Sequence, residues 1–361
     1  MSLTRLNVKH VRNLVDVQLL PSPGLNLIIG ANASGKTSLL EAIYLLGMGR
    51  SFRSLNIKHV IQQEATSLVV FGSVASSTNQ HQVNLGIEKQ RDKTRIKVAG
   101  EWVNNASSLV MHLPLQLITP DSHKLIEQGP RYRRQFMDWG VFHVEHTFHS
   151  IWARFQKSLK QRNAGLKQRI PHKALQVWNQ ELSSSAILID EMRRRYVSEL
   201  LPIAQQMILK LTELKDIELS YQSGWKQGTD YLDYLLQHET LDRESGFTRF
   251  GPHRADIAIR QSGMPAAERV SRGQQKLLAG ALRLAQIEHL KSRRKINSLL
   301  MVDDLPAELD QSRRELFLEM LRELDTQVFV TATEEALISN RAAWSERKMF
   351  HVEHGQVREV I

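Results

Sequence analysis

Apolar residues recur along the chain at two periods, and the change of period divides it into three stretches. In the first, Leu3, Leu6 and Val8 precede Leu14, Val15, Val17, Leu19 and Leu20, with Arg12-Asn13 between the two strand candidates. Leu25-Asn26-Leu27-Ile28-Ile29 predicts a buried strand, and Ser38–Leu46 predicts a helix stopped by Gly47. Further strands are expected at Ser67–Phe71 and Val83–Glu88, with a hairpin loop at 76–82. Leu113–Ile118 predicts one more strand, ended by Thr119-Pro120.

The second stretch has a helical period. Phe148, Ile151, Trp152, Phe155 and Leu159 share one face, and Pro171 is expected to break that helix. A second run passes through Val177, Leu182, Ile187, Leu188, Met192 and Tyr196, with Pro202 soon after. Two helices of roughly 25 residues would each span about 35–40 Å. Residues 126–249 are therefore expected to form a largely helical insertion, without heptads long enough for an extended coiled coil and without an internal repeat. From Phe250 the alternating α/β pattern returns. A helix is expected after Ser271, its cap, and strands at Ser298–Val302 and Gln327–Thr331, with a closing hairpin over Met349–Val357. The expected division is 1–125, 126–249 and 250–361, an α/β fold interrupted by a helical arm.

Charge adds a partner class. The 361 residues carry 48 Lys and Arg against 38 Asp and Glu, a formal net charge of +10. That balance favours a polyanion such as nucleic acid. Between His146 and Gln180 seven cations, among them Arg154, Lys157, Lys160 and Arg162, meet no acid, so DNA contact is expected there. An ordinary solvated face is the alternative. The absence of cysteine excludes disulfides, thiolate catalysis and cysteine-built zinc sites. The N-terminus lacks the apolar core of a signal peptide and no run reaches eighteen apolar residues, so a cytoplasmic protein without a membrane span is expected.

Candidate chemistry centres on Gly30-Ala31-Asn32-Ala33-Ser34-Gly35-Lys36-Thr37, which fits G-x-x-x-x-G-K-[ST] between a strand and a helix. The two glycines let backbone N–H groups wrap a phosphate. Lys36 can reach the β- and γ-phosphates, and the Thr37 hydroxyl can hold Mg²⁺. ATP and Mg²⁺ are the expected cofactors. Far downstream, an apolar strand ends in Asp303-Asp304. Asp303 is expected in the Mg²⁺ shell, and Asp304 is expected to orient or deprotonate the attacking water. Two His-x-x-His pairs, at His143/His146 and His351/His354, have a spacing that a metal could use, but on a strand the two rings would face opposite sides.

Ser271-Arg272-Gly273-Gln274 resembles the signature of ABC ATPases, and Pro306-Ala307-Glu308-Leu309-Asp310 resembles the D-loop that follows the second acidic motif. The order of phosphate loop, helical insertion, signature and acidic strand resembles the SMC-like members. Val11-Arg12-Asn13-Leu14, the run Pro120–Arg134 and Phe250–Asp256 narrow the resemblance to the RecF family, over essentially the whole chain. The resemblance implies an ABC-type ATPase head with a short helical arm. It implies ATP contacts from Arg12 and Asn13, and Ser271, Gly273 and Gln274 acting on ATP held by a second copy. It further implies an ATP-dependent homodimer, DNA binding at single-strand gaps, a weak DNA-stimulated ATPase, and work with RecO and RecR to load RecA during repair and the SOS response. Departures from the family pattern are Asp304 in place of Glu, Thr333 where the switch histidine sits, and Ala255 in place of the first acid after His-Arg. Gln116 and Gln128 are both candidates for the Q-loop glutamine. A metabolic P-loop kinase and a DNA-binding protein with a vestigial ATP site are the competing classes. The first leaves the signature unexplained, and the intact Lys36, Thr37 and Asp303 argue against the second.

Overall fold

The computed structural model describes residues 1–75, 82–304, 308–338 and 341–360. The expected loop over 76–81 and the D-loop residues Pro306 and Ala307 lie outside the described residues. The chain forms two compact units, one of residues 1–122 and 290–361, the other of residues 123–289. These limits differ from the expected boundaries at 125/126 and 249/250.

The first unit contains β1 (Ser2–Val11), β2 (Leu14–Leu19), β3 (Leu25–Ile29), β4 (Ser67–Ala75), β5 (Gln82–Gln90), β6 (Thr94–Val98), β7 (Glu101–Val103) and β8 (Leu115–Ile118). The second unit contains β9 (Ile217–Gln222), β10 (Asp256–Gln261) and β11 (Met264–Pro265), a three-stranded sheet in the order 11-10-9. The first unit resumes with β12 (Leu299–Val302), β13 (Val328–Ala332), β14 (Arg347–Glu353) and β15 (Gln356–Glu359).

Two six-stranded sheets build the first unit. One is antiparallel, in the order 2-1-4-5-6-7, and the other runs 15-14-3-13-12-8 with every pair parallel except β14–β15. Strands of a parallel sheet are buried on both faces. Every residue of β12 and β13 is accordingly buried. The antiparallel sheet instead alternates: Leu6, Val8, Leu68, Val70, Leu85 and Ile87 point into the core. The buried Gln327 ties the two sheets. Its amide exchanges hydrogen bonds with the backbone of Leu3, 2.7 and 2.8 Å, and donates to the Ser22 carbonyl.

The helix after β3 runs from Lys36 to Met48, and Gly49 closes it in the left-handed conformation. Gly47 is not the stop. It lies inside the helix because a Cβ there would stand 2.1 Å from Leu115 Cδ2, so packing rather than capping demands glycine. In the second unit, helix Phe148–Lys167 ends before Pro171 as expected. The next helix is longer than expected: His172–Thr212, 41 residues, with Pro202 inside it. An interior proline costs about 3 kcal/mol. The buried stripe Val197, Leu200, Ala204, Ile208 and Leu211 continues through it, and burial of such side chains at about 1.5–3 kcal/mol each offsets that cost.

The basic face of helix Phe148–Lys167 also needs correction. Arg154, Lys157 and Lys160 are exposed, but Arg162 is wholly buried. Its guanidinium donates to Asp242 at 2.7 Å, to Asn179 at 2.6 Å and to Thr248 at 2.7 Å. The compensating acid is 80 residues downstream, so Arg162 is a core cation and not a DNA contact. Arg154 also finds an acid, Glu181, at 3.1 Å. Removing one partner of a buried ion pair costs about 3–5 kcal/mol. Asp242→Ala should therefore lower stability by about that amount, seen as a lower urea midpoint without nucleotide or DNA. An unchanged midpoint would mean that Arg162 can reach solvent.

Candidate ATP-binding site

The phosphate loop leaves the C-terminal edge of β3, between β13 and β14. Parallel sheets bind ligands at that edge. Gly30 and Gly35 have φ of 159° and 122°, and Ala33 is left-handed at 64°. A Cβ on Gly30 would stand 2.2 Å from the Val352 carbonyl oxygen, so the loop can pass only as glycine. The turn between β14 and β15 braces it from the other side: the Gly355 N–H donates to the Ser34 carbonyl at 2.9 Å. The Asn13 amide donates to that same carbonyl at 3.0 Å. Asn13 thus sits against the loop.

Ala31, Asn32 and Ala33 are exposed, whereas Ser34, Gly35 and Lys36 are buried. The Lys36 ammonium donates to the carbonyls of Gly30 and Ala31 at 2.8 and 3.0 Å, which holds it inside the loop. The Thr37 hydroxyl lies 3.1 Å from Asp303 Oδ1, so residues 266 positions apart meet at one point. Thr37 and Asp303 offer hydroxyl and carboxylate oxygens, a donor set that suits a hard cation such as Mg²⁺. Burial raises the Asp303 pKa, the Asp304 charge adds to the rise, and the Thr331 and Thr37 hydroxyls and Arg53 oppose it. Burial thus disfavours the ionised form of Asp303, and a cation bound there would favour it.

Asp304 follows with φ of 47°, left-handed and partly buried. Its N–H donates to Thr331 Oγ1 at 2.8 Å, and that oxygen lies 2.9 Å from Asp303 Oδ1 and 3.2 Å from Asp304 Oδ1. One hydroxyl proton therefore serves two carboxylates. Thr331, at the end of β13, is a positioning residue absent from the expected set. Its signal was the polar end of an otherwise apolar strand.

Arg12 is placed differently from a free phosphate contact. It is left-handed at φ 56°, and its guanidinium grips Glu41 through two bonds, 2.8 and 2.9 Å, with a further bond to the His59 carbonyl. Glu41 is fully buried and also accepts from Ser51, while Arg53 stands 3.6 Å away. Glu41 is the one charge within the run Ser38–Leu46, a signal that sequence reasoning passed over.

In the second unit, Ser271 and Gln274 form a reciprocal cap at the start of helix Arg272–Arg294. The Ser271 N–H donates to Gln274 Oε1 at 3.0 Å, and the Gln274 N–H donates to Ser271 Oγ at 3.4 Å. Ser271, Arg272 and Gly273 are exposed, and a Cβ on Gly273 would meet nothing within 4 Å. An exposed N-terminus of a 23-residue helix presents unpaired N–H groups and a partial positive charge. Of the two His-x-x-His pairs, His143 lies near the end of a helix rather than on a strand and is buried, which pushes its pKa down to about 3. Among the described residues no group of three or more His, Asp or Glu is placed to hold a metal ion. Likewise, no helix among the described residues is long and apolar enough to cross a membrane.

The RecF/RecN/SMC N terminal domain family matches residues 2–357. The DNA replication and repair protein RecF of Pseudomonas aeruginosa strain LESB58 is 44% identical over 99% of this chain and 98% of its own length. The chain belongs to the RecF family. The RecF of Shewanella sediminis strain HAW-EB3 is also 44% identical, over 99% of both chains. A solved structure of the recombination mediator protein RecF with ATP in the RecFOR pathway is 26% identical, with a TM-score of 0.89 over 99% of this chain and 97% of that one. A solved Smc head, 15% identical with a TM-score of 0.61 over 100% of this chain and 97% of that one, shares the fold. The fold of this RecF-family chain is that of an ABC-type ATPase head.

Proposed function

We propose that this chain is an ATP-dependent DNA-binding protein of recombinational repair and replication, and that its ATP site works as a dimerisation switch. The single observation behind the ATP site is the meeting of Thr37 and Asp303 at 3.1 Å beside Lys36. In this scheme Lys36 and the backbone of Gly30–Thr37 bind the phosphates, with Arg12 and Asn13 flanking the loop. Thr37 and Asp303 would hold a Mg²⁺ ion, which would supply charge neutralisation on the phosphates. Asp304 accepts a proton from, or orients, the attacking water. The exposed Ser271 and Gly273, with the half-buried Gln274, meet the γ-phosphate of a second copy. Asp304 is one methylene shorter than the usual glutamate, which suits a weak ATPase. Turnover and ATP affinity, each measured with and without DNA, test this directly. The solved relatives named for the RecFOR pathway support a place beside RecR and RecO; DNA at single-strand gaps, as the target on which RecA is loaded, is what the family resemblance implies.

The segment 126–249 is proposed as the arm, with Arg154, Lys157 and Lys160 as its DNA contacts. Phosphate contacts release counterions, so log affinity falls with log salt at about 0.9 per contact. Neutralising these three residues together should shallow that slope by up to about 3. Since Arg154 already pairs with Glu181, a smaller loss near 2 is expected. An unchanged slope would remove the arm from the DNA interface.

A further inference from the structure

On the solvent face of the antiparallel sheet, four strands place a continuous row of residues. Phe71 on β4 lies opposite Gly86 on β5, Gly86 opposite Lys97 on β6, and Lys97 opposite Trp102 on β7. Residues directly opposite in a sheet share a face, so the four side-chain positions stand in line. At about 4.8 Å per strand the row from Phe71 to Trp102 is roughly 14 Å long. The opposite face, with Leu68, Leu85, Ile87 and Ile96, is in the core, so this face cannot be turned inward.

Trp102 is 65% exposed, far more than Tyr132 at 38% or Phe247 at 40%. Lys97 Nζ lies 5.5 Å from the centre of its ring and covers one side of it. Gly86 between the aromatic positions leaves the surface flat: a Cβ there would meet only Lys97 Cβ, at 3.9 Å. Cations border the row. Arg5 is exposed on β1, and Arg95 is exposed on β6 with Glu88 3.6 Å away. A flat sheet with spaced aromatic rings and interleaved cations matches what single strands require. Rings stack on the faces of unpaired bases, and cations follow the backbone. A duplex hides its base faces and could use only the cations.

We infer that Phe71 and Trp102, with Lys97 between them, form a base-stacking platform for single-stranded DNA on the outer face of the antiparallel sheet. This rests on the DNA-binding role proposed above and assigns it a second surface, separate from the arm cations. Single-strand affinity then depends on a ring at position 102, and duplex affinity does not.

The test uses the full-length protein with ATP and fluorescein-labelled oligonucleotides, one a 20-nucleotide single strand and one a blunt-ended linear duplex of two strands, followed by anisotropy. One stacked base contributes enough that its loss weakens binding about 5- to 100-fold. Trp102→Ala should weaken single-strand binding roughly tenfold and leave duplex binding and DNA-free ATP turnover unchanged. Trp102→Phe should recover most of the loss, because any ring offers a stacking face. Equal single-strand affinity of Trp102→Ala and wild type, with wild-type DNA binding intact, overturns the platform and leaves the DNA-binding role standing. Equal losses on both oligonucleotides also overturn it, since stacking discriminates the two. A wild-type protein that binds neither oligonucleotide overturns the DNA-binding role and the platform with it.

Discussion

Asp304→Asn should bind ATP as the wild type does and hydrolyse it about 10²- to 10⁴-fold more slowly, the usual contribution of a positioned general base. The backbone argument makes the variant clean. Asp304 is left-handed at φ 47°, a conformation that asparagine tolerates nearly as well as aspartate. Its N–H bond to Thr331 Oγ1 survives, because that bond uses the backbone. Only the charge and the proton-accepting oxygen are lost. Asp303→Asn should behave differently. Asp303 Oδ1 meets the Thr37 hydroxyl, so its loss weakens the cation site and with it the affinity for Mg²⁺-ATP. Single-turnover hydrolysis and filter binding of ATP separate the two variants. Normal turnover by Asp304→Asn would take the water-positioning role from Asp304.

Ser271→Arg should abolish ATP-induced dimerisation and leave ATP binding by one chain within a few-fold of wild type. Ser271 is exposed, and its hydroxyl accepts from the Gln274 N–H at the start of its own helix. The substitution also removes the cap to Gln274, a cost of about 0.5–2 kcal/mol to the helix start. Ser271→Asp separates the two effects. Aspartate caps a helix as well as serine, yet it sets a carboxylate against the incoming γ-phosphate. Both variants should stay monomeric with ATP, and Ser271→Asp should keep wild-type stability. Mixing Ser271→Arg with Lys36→Arg should return some hydrolysis, because a mixed dimer contains one composite site free of both changes. No recovery on mixing, together with full dimerisation of Ser271→Asp, would place the signature outside the site.

The phosphate loop was legible because its chemistry is local: Gly30, Gly35, Lys36 and Thr37 must stand at fixed offsets between strand and helix. Asp303 was legible for a similar reason, as a carboxylate ending a buried strand. What escaped depends on partners distant in sequence. Arg162 stood in a run without acids and looked like surface, yet Asp242 neutralises it from 80 residues away. Pro202 stood just past the expected end of the second helix, but a continuous buried stripe carries the helix through it. Gly47 looked like a cap, and its cause is the close approach of Leu115 from β8. Thr331 and Glu41 have no motif of their own, only a polar residue in an apolar run. Their roles emerge when the parallel strands set Thr331 beside Asp303 and when Arg12 folds over the loop helix.

The central claim is that ATP, through its γ-phosphate, joins two copies of this chain. A ligand shifts an equilibrium only by its differential contacts, and the γ-phosphate is the group that ADP lacks. Sedimentation velocity of the full-length protein with DNA and Mg²⁺ should therefore show a monomer without nucleotide, a monomer with ADP and a dimer with ATP. Ser271→Asp should give a monomer in all three. A wild-type protein that remains monomeric with ATP and DNA while hydrolysing ATP at its full rate would contradict the account.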